Sequence, residues 1–420
     1  MFAAILPVAS LLVSTFFMLV AGGLSGYLLP LRAAAEGWTT LTISMMATGY
    51  ALAFTASCLI TPRLVMRVGH VRVFGALTAL MSISLLMHAL VFEPVAWIVF
   101  RSIAGFCVAG GYMVIESWLN EKVTNATRGA VFSIYMVVSM TALMAGQFIV
   151  PLGDPLTLTL FMVCAVLYSL ALIPTALSGA QSPRPLTQSR FRLGRLFTHS
   201  PAAVVGSFLA GAIAGAWSNL GPVYSQNTGL TTVEGAFMLA IAMLGGAIFQ
   251  IPLGRISDRL DRRHVMAGAG IVGLVLSTIA TMWDSHHVLV FFVAVFLLGS
   301  VLFPIYSLNV AHANDHAEPD DFVEVSSGLL IIYGGGTMLG PLVAGYVMDR
   351  MGPSGLFATL AVFFTAYAGY ALYRSRRRPL GAEAERSDFL AIPFARSQTP
   401  QFYEIDPRSE AETDEESEAA

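Results

Sequence analysis

Charged residues are scarce in this chain. Asp, Glu, Lys and Arg make up 12% of its 420 residues, whereas 56% are hydrophobic; about a quarter of a typical soluble domain is charged. Among the 23 basic residues, only Lys122 is a lysine. This composition excludes an ordinary soluble globular enzyme. The net charge of −3 combines a weakly basic body with an acidic end, and neither indicates a nucleic-acid partner.

Cysteines and cofactor motifs are also few. The three cysteines, Cys58, Cys107 and Cys164, lie within apolar stretches, and their odd number and spacing exclude a disulfide framework or a zinc site. No GxGxxG or GKS/GKT loop occurs in those stretches, which argues against a nucleotide-driven pump. The mixed acidic and histidine segment at 312–321 has no specific metal-ligand pattern. We therefore expect no metal, no cofactor and, without a compact nucleophile–base group, no enzymatic activity.

Long apolar runs are abundant. Twelve of them are about 20 residues or longer, enough to cross a hydrocarbon core of about 30 Å. The first is too long for a signal-peptide core and no basic residue precedes Arg32, so it is predicted to be a spanning helix. The predicted fold class is an all-α polytopic membrane protein with twelve transmembrane helices. The runs lie at residues 3–31, 41–61, 73–92, 95–119, 129–151, 156–177, 202–226, 235–254, 264–283, 288–311, 326–348 and 353–373.

Polar segments divide the chain into two halves and a tail. Residues 1–177 are predicted to form an N-terminal six-helix bundle, residues 178–200 a cytoplasmic linker, and residues 201–375 a C-terminal six-helix bundle. Residues 383–420 hold 3 basic against 11 acidic residues, whereas residues 1–382 hold 20 against 15. Residues 376–420, basic and then acidic, are therefore predicted to be a disordered cytoplasmic tail.

The basic residues predict the orientation. If the N-terminus is cytoplasmic, the loops on that side and the end of the last helix hold seventeen Lys and Arg residues, whereas the opposite loops hold only Arg32 and Arg350. Basic residues accumulate in cytoplasmic loops. Both termini are thus expected to be cytoplasmic, in a multi-pass protein of a bacterial inner (plasma) membrane.

One loop is unusually rich in charge. The stretch PLGRISDRLDRR at 252–263 lies between two apolar runs, and a degenerate copy, PRLVMRVG, occupies 62–69. Met66 and Asp258 correspond, 192 positions apart, which indicates a duplicated bundle. We interpret both as short cytoplasmic gating loops, with Gly254 letting the chain leave its helix; an ordinary basic loop is the alternative. The proposed gating residues are Arg63, Arg67, Gly69, Gly254, Asp258, Arg259, Arg262 and Arg263.

At this loop the sequence resembles the major facilitator superfamily. GRISDR followed by Arg262 and Arg263 is similar to the superfamily's signature between helices 2–3 and 8–9, with Asp261 where a glycine is usual and Met66 at the aspartate of the first copy. The strings IESWLN at 115–120 and GPVY at 221–224 resemble the YcaD-like branch. The resemblance implies two pseudo-symmetric bundles that alternate access to a central site. The glycine-rich string at 334–345 resembles the antiporter motif, but that motif normally lies in helix 5.

The fourth apolar run has a stripe of polar residues. Arg101, Gly105, Val108, Tyr112 and Glu116 recur at helical spacing, so they share one face. A charged residue in a spanning helix is costly unless it lines a wet cavity or has a partner. Arg101 is a candidate for binding an anionic substrate group or lowering the pKa of a nearby carboxylate. Glu116 is either a titrating group that couples transport to protons or a structural carboxylate that bridges to arginines of the 2–3 loop.

Aromatic and amide side chains complete the candidate substrate site. The resemblance places several of them on helices that face a central cavity, and Trp217 and Tyr224, seven residues apart, share a helix face. For each ring alone, packing is the alternative. Together they predict a cavity for a small, partly apolar or aromatic solute. The candidates for substrate binding or coupling are Arg101, Tyr112, Glu116, Tyr27, Gln147, Trp217, Tyr224 and Tyr306.

These features predict a secondary active transporter that works by alternating access and is a candidate for proton coupling. Its expected partners are a small-molecule substrate, protons and the lipid bilayer, and we expect a monomer. A drug/metabolite efflux antiporter is one alternative, although Gln147 stands where the antiporter motif has a proline. A non-transporting membrane sensor or scaffold is another, which would need a folded output domain.

Overall fold

The twelve predicted helices are all present. The structure, a computed structural model, describes residues 8–177, 193–282, 288–315, 317, 322–377, 389 and 399–404. Within these residues twelve helices are long and apolar enough to span a membrane, and no strand occurs. They are α1 Ala9–Ala35, α2 Thr40–Val68, α3 His70–Leu90, α4 Pro94–Lys122, α5 Asn125–Gln147, α6 Thr159–Ala176, α7 Pro201–Asn227, α8 Thr232–Arg259, α9 Arg262–Thr281, α10 Val288–Asn314, α11 Phe322–Met351 and α12 Gly355–Arg377.

Helix ends follow capping residues more closely than hydropathy. α5 begins at Asn125, four residues before the predicted run, because Thr124 and Thr127 form a capping box in which the Thr124 N–H donates to the Thr127 hydroxyl at 3.0 Å. α10 is interrupted at Phe303, since Pro304 lacks the N–H that would continue the helix. In the linker, Leu193–His199 forms a short helix, and residues 178–192 lie outside the described part.

The two halves repeat one packing scheme. In the first half, α1 packs on α5 and α6, α4 on α2 and α3, and α3 on α6; adding six to each number gives helix pairs that also pack in the second half. Close contacts of small residues recur too. A Cβ on Gly146 of α5 would overlap the Val20 carbonyl of α1, and one on Gly340 of α11 would overlap the Ala212 carbonyl of α7. This repetition confirms the predicted pair of pseudo-symmetric six-helix bundles.

The ends of the helices define two faces of the bundle. The arginine-rich face is the one on which α2, α4, α8 and α12 end, with Arg67, Lys122, Arg259 and Arg377 in their last turns. The opposite face is where α1 and α11 end, at Ala35 and Met351. Lipid-facing positions such as Leu52 and Leu59 expose apolar side chains around the bundle, as a bilayer-embedded protein requires.

The loop between α8 and α9 is shorter than predicted. α8 continues through Gly254 to Arg259, so only Leu260 and Asp261 separate it from α9. The prediction that Gly254 releases the chain from the helix is therefore wrong, because this glycine lies within α8, where a Cβ would overlap the Phe389 ring. Gly69 does form the corresponding turn between α2 and α3, with a φ of 85° that favours glycine.

The predicted disordered tail contains a buried segment. α12 continues to Arg377, and Pro400–Glu404 forms a 3-10 helix whose Phe402 and Tyr403 side chains are fully buried. The prediction of a solvated tail is therefore wrong for residues 400–403, because two adjacent aromatic rings gain more from burial than the surrounding polar composition suggests. Two further residues of the tail are described, and both contact the bundle. The Phe389 ring lies against Gly254 of α8, and the Thr399 hydroxyl contacts Glu116 of α4.

Candidate functional site: a central cavity between the two halves

A cavity lies at the centre of the bundle, where the two halves face each other. The first half contributes side chains from α1, α2, α4, α5 and α6, and the second half contributes side chains from α7, α8, α10 and α11. Six of the eight predicted substrate residues line it, together with tyrosines that the sequence did not single out. The principal polar and aromatic lining residues are Tyr27, Tyr50, Arg101, Tyr112, Gln147, Tyr168, Trp217, Tyr306 and Tyr333.

Arg101 is the one charged residue among the described residues that line this cavity. Its side chain is 5% exposed, and its guanidinium lies 4.4 Å from the centre of the Tyr50 ring. Within the described part of the chain, Arg101 forms no ion pair and no hydrogen bond. A cation–π contact of this kind contributes about 2 kcal/mol when desolvated. It leaves the guanidinium donors available, so the site favours a carboxylate or phosphate group.

The polar stripe of α4 points along the cavity as its spacing predicts. Val108 and Tyr112 follow Arg101 on the cavity wall. Between them, Gly105 allows α4 to approach α2 closely, because a Cβ there would overlap the Tyr50 carbonyl. This close approach places the Tyr50 ring beside Arg101 and explains why a glycine interrupts the stripe.

Gln147 lines the cavity at the junction between the halves. Its Nε2 donates to the Met243 sulfur of α8 at 3.4 Å, whereas its Oε1 has no hydrogen-bond partner among the described residues. An amide oxygen that is buried without a partner is costly. The cavity therefore presents an unpaired amide end in addition to the Arg101 cation, and a solute that carries both an anionic and a hydrogen-bonding group matches this pair.

Two predicted substrate residues lie outside the cavity lining. Tyr224 packs in an aromatic cluster, 5.9 Å from the Phe291 ring and 5.0 Å from the Phe357 ring. Trp217, seven residues or two helical turns earlier in α7, also contacts Phe357, but unlike Tyr224 it lines the cavity. The predicted shared face exists, yet only its inner end borders the cavity.

Glu116 is the second of these residues and is fully buried. Its Oε1 accepts a hydrogen bond from the Tyr135 hydroxyl at 3.0 Å, and its Oε2 accepts one from the Thr399 hydroxyl of the tail. These hydrogen bonds join α4 to α5 and to the tail, which favours the structural interpretation of Glu116 in this state.

At the opposite face the two halves contact each other directly. The Asp349 carboxylate at the end of α11 accepts hydrogen bonds from the backbone N–H groups of Thr40 at 2.8 Å and Leu41 at 3.0 Å, so it caps the N-terminus of α2 across the interface. Nearby, the Tyr27 hydroxyl of α1 donates to the Thr232 carbonyl of α8 at 2.9 Å. The cavity is thus closed from this face by helix-to-helix contacts.

The C-terminal charged loop forms an ionic cluster around a buried arginine. The Arg262 side chain is 1% exposed and contacts the carboxylates of Asp315 at 2.6 Å and Asp258 at 3.1 Å. Beside it, Arg263 donates to the Asp261 carboxylate, with Nη2–Oδ2 at 2.8 Å. Burial raises the pKa of Asp261, but the hydrogen bonds from Arg263 outweigh it and hold that pKa below its ordinary value. Asp261 also caps α9, which explains why it replaces the usual glycine.

The N-terminal copy of the loop differs from the C-terminal one. Arg63, Met66 and Arg67 are exposed, and neither arginine forms an ion pair with the described residues. Arg259 of the C-terminal copy is exposed as well. The ionic cluster therefore depends on Arg262 and Arg263, and the positions 192 residues earlier hold His70 and Val71.

Sequence reasoning missed three features of the site. Asp349 is hidden from it because its partners are backbone groups 309 and 308 residues away. Tyr50 and Tyr333 resemble ordinary helix aromatics, and no local pattern distinguishes them. Asp315 lies in a generic acidic segment, although an aspartate just beyond an apolar run and opposite an arginine-rich loop is a recognisable signal for an ion pair.

Comparison with known proteins agrees with this architecture. A family model described as Major Facilitator Superfamily matches residues 11–247 and 226–400. An uncharacterized MFS-type transporter YcaD from Escherichia fergusonii is 26% identical over 358 residues, which cover 84% of this chain and 92% of the relative. An uncharacterized MFS-type transporter from Enterobacter sp. strain 638 is 25% identical over 378 residues, or 89% and 97% of the two chains.

Solved structures of low sequence identity share the fold. The nucleoside transporter NupG has a TM-score of 0.73 at 14% identity and covers 88% of this chain and 98% of its own. A bacterial homolog of the human lysosomal transporter Spinster, in an inward-facing and occupied conformation, has a TM-score of 0.71 at 13% identity, with 90% and 97% covered.

Twelve spanning helices in two repeated bundles around a central polar and aromatic cavity define a polytopic membrane transporter. The chain belongs to the major facilitator superfamily and resembles its YcaD branch. It is accordingly a multi-pass membrane protein whose activity is transmembrane transport.

Proposed function

We propose that this protein is a secondary active transporter of a small, partly aromatic solute that carries an anionic group. The observation that supports this proposal is the position of Arg101, a buried cation on an otherwise uncharged, tyrosine-rich cavity wall. Aromatic rings favour a flat, partly apolar solute, and a guanidinium with free donors favours a carboxylate or phosphate on it.

The proposed transport mechanism is alternating access. Three contacts join the two halves in the region between the cavity and the opposite face, and they are made by Asp349, Tyr27 and Gln147. This conformation therefore corresponds to a state that is closed on the opposite face. Rocking of the two bundles about the cavity would break these contacts and open the site there. The arginine-rich face is the cytoplasmic one in this proposal, because it holds most of the basic residues, and the membrane is a bacterial inner membrane.

Binding tests the proposal first. Purified protein is heated with matched pairs of solutes, nicotinate against nicotinamide and phenyl phosphate against phenol, and the midpoint of unfolding is measured. We expect the anion of at least one pair to raise the midpoint and its neutral partner to leave it unchanged. Counterflow of the stabilising anion into proteoliposomes, with and without a proton uncoupler, then measures transport and its coupling.

Two variants of Arg101 complete the test. Arg101→Lys keeps the charge but loses the planar pair of donors, so we expect binding to weaken by about tenfold, the loss of roughly one charge-assisted hydrogen bond. Arg101→Met should abolish the preference for the anion. Equal binding of anionic and neutral partners by the parent, together with unchanged binding in Arg101→Met, would show that the aromatic rings alone select the solute.

A further inference from the structure

The segment Thr399–Tyr403, called here the tail segment, lies inside the protein between its two halves. Pro400 is buried, and the side chains of Thr399, Gln401, Phe402 and Tyr403 are at most 1% exposed. All of the segment except Thr399 belongs to one 3-10 helix, which packs against α4 of the first half and α11 of the second. It therefore occupies the space on the arginine-rich side of the central cavity. On the opposite side, by contrast, the helices of the two halves contact each other directly.

On the side of the first half, the tail segment makes one polar and one apolar contact. The Thr399 hydroxyl donates to Glu116 of α4. The Phe402 ring lies 5.1 Å from the Phe132 ring and 6.4 Å from the Tyr135 ring, both on α5. Since Tyr135 also donates to Glu116, the carboxylate and the two aromatic rings form one pocket that fits the threonine and phenylalanine together.

On the side of the second half, the tail segment reaches the wall of the central cavity. The hydroxyl groups of Tyr403 and Tyr306 are 2.7 Å apart, and the Tyr306 ring lies 4.8 Å from the Tyr333 ring. Tyr306 and Tyr333 both line the central cavity. A neighbouring cavity between α2 and α11 is lined by Pro400, Cys58 and Tyr333. The tail segment is thus adjacent to the candidate substrate site.

Physical considerations favour a docked tail. Burying an aromatic side chain is favourable because it removes a large apolar surface from water, and Phe402 and Tyr403 are both fully buried. The 21 residues between Arg377 and Thr399 span up to roughly 70 Å when extended, so the tether is long enough to allow docking. Tethering also gives the segment an effective concentration on the order of millimolar.

We propose that the space between α4, α5, α10 and α11 is a binding site for the chain's own tail segment, a short aromatic peptide, and that the occupied state does not transport. Closing this side requires the two halves to approach each other, and the buried rings of Phe402 and Tyr403 lie between them. Release of the segment exposes Glu116 and Tyr306 and permits closure. The second part of this inference rests on the proposed transport function, whereas the binding site does not.

Thiol labelling tests the binding site independently of transport. Cys58 is half-buried and shares its cavity with Pro400, whereas Cys107 and Cys164 are buried. The full-length protein is treated with a water-soluble maleimide, and mass spectrometry identifies the labelled cysteine. We expect Phe402→Ala with Tyr403→Ala to accelerate labelling of Cys58 at least fivefold. An unchanged rate would overturn the proposed binding site.

A matched pair at Thr399 sharpens this experiment. Thr399→Val removes the hydroxyl that donates to Glu116 at nearly constant shape, and Thr399→Ser retains it. We expect faster labelling of Cys58 in the valine variant and the parent rate in the serine variant. A synthetic peptide of residues 396–407, added to the Phe402→Ala, Tyr403→Ala protein, should restore slow labelling. Equal rates in both Thr399 variants, with no effect of the peptide, would count against the contact with Glu116.

Counterflow tests the second part of the proposal. We expect the Phe402→Ala, Tyr403→Ala protein to exchange its anionic solute several-fold faster than the parent, and the peptide to slow it. Faster labelling with slower exchange would mean that transport requires the segment, and the proposed inactive state would be wrong. Faster labelling with no exchange by either protein would support the binding site and contradict the proposed transport function instead.

Discussion

The two sides of the central cavity are closed in different ways. On the opposite face, helices of the two halves touch directly, through small residues and through the Asp349 cap on α2. On the arginine-rich face, the space between the halves is filled by the tail segment. The first closure is built into the helices and can change only when the bundles move. The second closure depends on the docking of the tail segment, so the affinity of that segment for its site can change without any movement of the bundles.

The largest expected effect comes from preventing the direct closure. A Cβ on Gly345 of α11 would overlap the Ser44 hydroxyl and lie 2.9 Å from the Thr40 carbonyl of α2, so Gly345→Leu should hold the opposite face open. We expect counterflow to fall by at least a hundredfold while the protein still inserts into the membrane. Gly369→Leu is the matched control, since a Cβ on that exposed residue of α12 meets no atom within 4 Å.

Distances between the halves verify the cause of this loss. Spin labels on Leu90 and Met351, which are 73% and 58% exposed at the opposite face on different halves, should move apart in Gly345→Leu and not in Gly369→Leu. Parent-like distances in a Gly345→Leu protein that does not transport would show that the direct contact is not what the substitution disrupts.

The second effect concerns the two copies of the charged loop on the arginine-rich face. Arg262→Gln leaves the largely buried Asp315 carboxylate without its arginine, so we expect the free energy of unfolding to fall by about 2–4 kcal/mol. Arg67→Gln alters an exposed arginine of the first copy and should leave the free energy of unfolding unchanged. Thermal unfolding in detergent measures both. Equal destabilisation would show that the copies are energetically equivalent despite their different burial.

A smaller effect is expected at the Asp349 cap. Asp349→Asn keeps one oxygen for the Thr40 and Leu41 N–H groups but loses the charge that favours the helix N-terminus, a change of about 1 kcal/mol. The fraction of molecules closed on the opposite face should therefore shift about fivefold toward the open state, as measured with the same spin labels. Asp154→Asn is the control, because the Asp154 carboxylate accepts a hydrogen bond from the Leu156 N–H within its own loop. An equal shift in both variants would mean that the cap contributes nothing specific.

Periodic features of this molecule could be predicted from the sequence and contacts across the bundle could not. Hydropathy located twelve helices, and helical spacing brought Arg101 and Tyr112 to one cavity wall, because both signals depend only on neighbours in the chain. The Asp349 cap and the Tyr306–Tyr403 pair depend on chain segments hundreds or tens of residues apart, which no local pattern records. The tail segment was missed for a related reason. Its two aromatic rings are surrounded by polar residues, and average composition hides a short segment whose partner surface lies elsewhere.

The smallest expected effect on exchange is at Glu116, where the tail segment meets the first half. Glu116→Gln preserves shape and one acceptor oxygen, and the new amide donor can bond to the hydroxyl of Thr399 or Tyr135, so exchange should stay within about twofold of the parent. If Glu116 titrates when the tail segment leaves, fixing it in a neutral form should nonetheless end proton-driven accumulation. Glu121→Gln, at an exposed position of the same helix, should accumulate normally. Normal accumulation by Glu116→Gln would establish Glu116 as a structural carboxylate that holds the tail segment, and would place proton coupling, where an uncoupler detects it, on another residue.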